Sequence, residues 1–178
     1  MERNRYIQIC RENEYAILYY DKKEEKVIRY KIGKKFSFSL KYQVCILVTL
    51  YLGYLLNDKV YIILAQNSCL KHGLVILCLG IGYISLLFFE NDMAKKIKNE
   101  GEEVPYILSD ELLQKGQKDL KTQKMIMYLW TLISMVIVFV FYLTNFAVVL
   151  ILFLASVIAL SAMAAATRPL LRAKLYNS

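Results

Sequence analysis

Residues 125–166 read MIMYLWTLISMVIVFVFYLTNFAVVLILFLASVIALSAMAAA, with no acidic, basic or imidazole side chain among them. A helix needs about 20 apolar residues to cross the roughly 30 Å hydrocarbon core of a bilayer. The stretch therefore holds two crossings, Met125–Tyr142 and Phe146–Ala166. Only Leu143-Thr144-Asn145 separates them, so they are predicted to form a tight antiparallel hairpin. Tyr128 and Trp130 sit at the start of the first crossing, where amphipathic rings suit the headgroup level.

Working towards the N-terminus, two more apolar runs appear, Leu40–Leu56 and Gly73–Phe89. The first is roughly 25 Å long as a helix, just short of the hydrocarbon core. Between the two lie Asn57-Asp58-Lys59, the apolar Val60–Ala65 and the polar Gln66–His72. Residues 57–72 are read as an outer loop with a short interfacial helix. A single tilted helix from Val60 onward is the alternative, disfavoured because Gln66, Asn67, Lys71 and His72 are costly at mid-bilayer.

The remaining chain is polar and strongly basic. Of 178 residues 57% are hydrophobic, yet the formal net charge is +8. Residues 1–41 carry 11 Lys plus Arg, residues 57–72 carry 2, 90–124 carry 7, and 167–178 carry 3. The positive-inside rule then puts both termini and the middle segment in the cytoplasm. Segregated in this way, the charge points to anionic lipid headgroups and not to nucleic acid, for which no zinc-finger spacing or aromatic-basic interleaving is present. The run from Lys22-Lys23 to Lys35 is read as a solvated, lipid-facing surface, compatible with docking of a cytoplasmic protein.

Residues 1–39 alternate polar with β-branched and aromatic side chains, as in Lys26-Val27-Ile28-Arg29-Tyr30-Lys31-Ile32. They predict a three-stranded meander, too small to stand alone and expected to lean on the membrane or on the central segment. Residues 90–124 are read as a helical connector. The second crossing runs on to Lys98, Gly101 to Pro105 breaks it, and Ser109-Asp110-Glu111 caps a new helix in which Leu113 and Leu120 share a face. Arg168, Arg172 and Lys174 form a basic tail over 167–178, with Pro169 stopping the last helix. The predicted fold is a membrane all-α protein, four transmembrane helices in two hairpins (40–89 and 125–166), with a cytoplasmic β-meander and helical connector.

Candidate chemistry is thin. Apart from Lys41 at the edge of the first run, the four apolar runs hold no Asp, Glu, Lys, Arg or His. Proton relays and ion pathways ordinarily depend on such groups, which disfavours a transporter. His72 and Cys78 suggest a cysteine peptidase, but Cys78 has no polar neighbour to lower its pKa. Cys10, Cys45, Cys69 and Cys78 make no Cys-x-x-Cys pair, and one histidine gives weak support to a metal. No catalytic residue, metal ligand or cofactor is assigned. The N-terminus lacks the apolar stretch of a cleavable signal peptide.

What remains is surface. Gly80 and Gly82 lie within a crossing, where close helix packing accounts for them better than a nucleotide loop. Ala155, Ala159, Ala162 and Ala166 recur at spacings of four, three and four, which aligns them in one stripe. Such a stripe serves packing within the monomer or docking of another membrane helix, including a second copy of the chain. Asn57, Asp58, Lys59, Asn67, Lys71 and His72 are the candidates for contact on the outer face.

The N-terminal hairpin, Tyr6-Ile7 with Tyr15-Ala16-Ile17-Leu18-Tyr19-Tyr20-Asp21, leads directly into several crossings. In that layout the chain resembles small polytopic immunity proteins of Gram-positive bacteria, including those that neutralise membrane-active toxins of the type VII secretion pathway. The resemblance implies a non-enzymatic plasma-membrane protein that binds a toxin helix. It carries over no functional residue. The alternative is an accessory subunit of a transporter, secretion or cell-envelope complex.

Overall fold

The computed structural model describes residues 5–13, 16–31, 51, 54, 57–105 and 110–176. Three of its helices are long and apolar enough to cross a membrane. The crossing expected at 40–56 lies almost wholly outside the described residues; of it, only Tyr51 and Tyr54 are described, both exposed. The chain divides into two compact units, 1–35 with 86–128 and 162–178, and 36–85 with 129–161.

The first unit is built on an antiparallel sheet of β1 (Tyr6–Asn13), β2 (Ala16–Asp21), β3 (Lys26–Lys31) and β4 (Glu102–Val104), in that order. The β2–β3 turn is fixed by Asp21, whose carboxylate accepts the Lys23 backbone N–H at 2.9 Å, and by Glu25 at φ 53°. One register irregularity lies between Gln8 and Cys10. It lets Ile9 and Cys10 join the same apolar cluster, where strict alternation would separate them.

Both faces of this sheet are covered. Tyr6, Tyr19 and Ile28 pack on Ala94 and Ile97 of helix α2 (Ser68–Glu100), which follows α1 (Asn57–Gln66). On the other face Ile9, Cys10, Leu18 and Val27 meet Leu112 of α3 (Asp110–Thr144) and Leu175 of α5 (Pro169–Tyr176). Between α3 and α5 runs α4 (Ala147–Thr167).

Several expectations change here. The sheet has four strands, not three, because Glu102–Val104 adds to β3 immediately after α2 ends. The break expected from Gly101 to Pro105 is thus a strand. Gly101 makes the close turn: its N–H donates to Ile97 O at 3.0 Å, and a Cβ there would lie 2.4 Å from Ile28 Cγ2. Residues 57–72 are mostly helical, broken only at Asn67. Pro169 opens a further helix, a position that suits its fixed φ and missing N–H, so the tail is not a plain basic extension. Leu120 is buried, and Leu112 reaches the sheet cluster. Ser109 lies outside the described residues.

In the second unit Cys78 of α2 packs with Phe153 and Val157 of α4, with Ile137 and Val138 of α3 alongside. Only 11% of the most apolar window in each of the three long helices is buried within the chain. The remainder is exposed or half-buried and rich in Leu, Ile, Phe, Val and Met, a surface compatible with lipid.

Candidate functional site

Two arginines missed as structural residues organise the first unit. Arg168 sits between α4 and α5 at φ 42°, outside the right-handed helical region that the following Pro169 disfavours. Its guanidinium donates to Tyr6 O on β1 and to Glu90 O on α2, each at 3.0 Å. One turn later Arg172 is fully buried. It donates to Ile9 O at 2.8 Å, to Gly116 O on α3 at 3.1 Å and to Gln123 Oε1. Gly116 is buried at this contact.

These contacts close the free edge of β1. Two other edge groups are taken up by α3: the Arg11 N–H donates to Asp119 Oδ2 at 3.1 Å, and Lys115 Nζ lies 3.5 Å from Glu12 O. An uncovered edge strand is a template for pairing with other chains, and here side chains occupy it instead. The positive-inside count took Arg168 and Arg172 as flanking charge. The signal available was their four-residue spacing beside a proline able to start a helix, which puts both on one face.

Ion pairs bind much of the N-terminal basic run. Lys26 pairs with Glu103 at 3.0 Å, Lys31 with Glu102 at 2.7 Å, and Arg29 with Glu12 at 2.5 Å. In the described part of Lys22–Lys35, Lys26, Arg29 and Lys31 are thus paired, whereas Lys22 and Lys23 are exposed in the β2–β3 turn. Arg5 grips Asp21 through Nε at 2.9 and 2.8 Å. Burial pushes the Asp21 carboxyl up, but the Arg5 hydrogen bonds, with the Lys23 N–H, bring it below its ordinary value.

Among the described residues of the first unit no activated nucleophile emerges. Burial raises the Cys10 thiol, which disfavours the reactive thiolate. Burial also pushes Tyr19 up to about 12. Its hydroxyl has no hydrogen-bond partner among the described residues. Nor do the described residues contain a group of three His, Cys, Asp or Glu able to hold a metal.

In the second unit, Gly82 and Gly80 separate. A Cβ on Gly82 would lie 2.1 Å from Val157 Cγ1, so this glycine marks a close approach of α2 and α4. Gly82 O also accepts from Ser161 Oγ at 2.8 Å. Gly80 has nothing within 4 Å of its would-be Cβ and takes no part in that packing. The indole N–H of Trp130 donates to Ser156 O at 3.0 Å and ties α3 to α4.

Helical periodicity sets Ala155, Ala159, Ala162 and Ala166 on the side of α4 roughly opposite Phe153, Val157 and Ser161. Ala155 is exposed and the other three are half-buried.

The residues proposed for outer contact have mostly local tasks. Asn57 Oδ1 accepts the Ala147 N–H at 3.2 Å. Asn67 caps α2, its Oδ1 accepting the Leu70 N–H at 3.1 Å. His72 Nδ1 lies 2.7 Å from Tyr142 OH. Asp58 and Lys59 fall in the first turn of α1, and Lys71 is half-buried in α2. His72 and Cys78 are six residues apart on one helix, about 9 Å along its axis and on different faces, which does not make a catalytic pair.

No family model, curated protein or solved structure matches the chain.

Proposed function

We propose that the chain is a non-enzymatic binding protein of the bacterial plasma membrane, crossing the bilayer four times with both termini in the cytoplasm. Its partner is another membrane helix, and its most concrete role is immunity against a membrane-active toxin. The observation that carries this is the small-residue face of α4, Ala155, Ala159, Ala162 and Ala166, set opposite the face that packs on α2. In a membrane, where lipid tails are as apolar as leucine, small residues favour association by letting backbones approach. The uncharged crossings and the hairpin-then-crossings layout support the same reading. The basic-residue count supports the orientation, and the apolar run 40–56 supports the fourth crossing.

The test is survival of a sensitive host making a toxin encoded beside this gene. Wild-type protein should protect, and Ala159→Leu with Ala162→Leu should abolish protection at unchanged membrane abundance. If no neighbouring gene product is neutralised, the immunity reading is wrong. The accessory-subunit reading has its own support in the four-stranded sheet, a folded body on the proposed cytoplasmic side that a toxin helix would not touch. It requires a stoichiometric complex in unstressed cells, recoverable in mild detergent.

A further inference from the structure

Within the first unit, two helix faces change abruptly from apolar to basic. On α2, Phe88, Asn91 and Lys95 follow at spacings of three and four, which keeps them on one face. On α3, Lys118, Lys121, Met125 and Tyr128 do the same at three, four and three. All seven are exposed; Phe88, Met125 and Tyr128 keep 68%, 67% and 73% of their surface open. Lys95 stands seven residues, about 10 Å of rise, from Phe88, and Lys121 the same distance from Tyr128; Lys118 stands that far from Met125. A headgroup layer is roughly 5–8 Å deep on each side of the hydrocarbon core, and a lysine stem can bend its ammonium back towards that layer.

Nearby acids are engaged elsewhere. Asp92 pairs with Lys96 at 2.7 Å, and Asp119 accepts the Arg11 N–H. The side chains of Lys95, Lys118 and Lys121 meet no carboxylate among the described residues. They contrast with Lys26 and Lys31, whose charges are spent inside the sheet.

We propose that Lys95, Lys118 and Lys121 contact anionic phospholipid headgroups, of the phosphatidylglycerol class, with Phe88, Met125 and Tyr128 against the adjoining acyl chains. The inference rests on the membrane reading above and moves the lipid-facing charge from the N-terminal run to α2 and α3. Each lysine held near an anionic surface adds favourable free energy that salt weakens.

The test uses the full-length protein in bilayers of equimolar phosphatidylcholine and phosphatidylglycerol, with spin-labelled versions of each lipid reporting first-shell occupancy. Wild type should prefer phosphatidylglycerol by about threefold at low salt, declining as salt rises. Lys95→Gln/Lys118→Gln/Lys121→Gln should bring the ratio close to one, with Trp130 emission unchanged as the check on folding. Lys22→Gln/Lys23→Gln should keep the wild-type ratio. A wild type without preference, or a triple variant that retains it, overturns the proposal. Carbonate extraction separates the two levels: protein that leaves the membrane refutes the membrane reading and this inference together. Protein that stays without lipid preference refutes the inference alone.

Discussion

The hydroxyl of Ser161 lies 2.8 Å from the carbonyl oxygen of Gly82, 79 residues away, and 2.9 Å from Val157 O on its own helix. A short hydroxyl side chain reaches another helix's backbone most readily where a small facing residue lets the helices approach closely. Gly82→Ala would drive a methyl into Val157, a β-branched residue with little rotamer freedom in a helix. The expected cost is about 1–3 kcal/mol, as for other overpacked sites. Gly80→Ala meets open space and should be neutral or gain up to about 1 kcal/mol from helix propensity. Unfolding in mixed micelles, followed by the single tryptophan, measures both. Equal losses for the two variants would remove Gly82 as the close-approach point.

Arg172 presents a second contrast. Replacing it with Met keeps the apolar stem but removes the donors for Ile9 O, Gly116 O and Gln123 Oε1 in a buried place. The expected loss is about 3 kcal/mol, since buried acceptors are left without a partner. Arg172→Lys should restore only part of it, because one ammonium cannot reproduce a planar fork spanning β1 and α3. Hydrogen exchange in β1 should speed up markedly in Arg172→Met. Unchanged protection there would mean the arginine does not hold the strand edge.

These two sites also show which features are legible before a structure is known. Long uncharged runs announce helices able to span a bilayer, and alternation at Lys26–Ile32 announces strand. The fourth strand was hidden because Glu102-Glu103-Val104 is short and acidic. Its place is supported by Lys31 and Lys26 on the neighbouring strand, partners more than 70 residues away. Gly80 and Gly82 are chemically identical and differ only in what faces them. Arg168 and Arg172 satisfy the positive-inside rule wherever their side chains point, so that rule conceals their burial. The candidate outer residues illustrate the converse. Asn67 was singled out for polarity in an apolar region, and its polarity serves a helix cap.

The Tyr19 hydroxyl lies buried without a partner among the described residues, close enough to Arg168 and Arg172 to feel their charge. Tyr19→Phe deletes an unsatisfied polar atom and leaves the ring in place. It should therefore be neutral or stabilise the fold by about 1 kcal/mol. The phenol's pKa rises from 10 to about 12 on folding, mainly through burial. Between those values the unfolded chain releases a proton that the folded one keeps, so stability falls as pH rises above 10. Tyr19→Phe should soften that alkaline loss, as read by thermal unfolding at rising pH. An alkaline limb identical to wild type would mean that the phenol titrates equally in both states.

Asp21 sets the opposite limb. Although burial opposes ionisation, the Arg5 guanidinium and the Lys23 N–H hold the folded carboxylate below its ordinary value. A carboxyl depressed in the folded state supports the fold above its unfolded pKa, and that support is lost as pH falls through the folded one. The unfolded chain takes up its proton first, near pH 4, so stability should begin to decline there. Asp21→Asn keeps a side-chain oxygen for the Lys23 N–H but withdraws the charge that Arg5 grips. The variant should be less stable than wild type at neutral pH, with the difference shrinking as the wild-type carboxylate is protonated. Thermal unfolding of both proteins across the acid range reads this directly. A gap that stays constant down to the lowest pH would show that the Arg5–Asp21 contact is indifferent to charge.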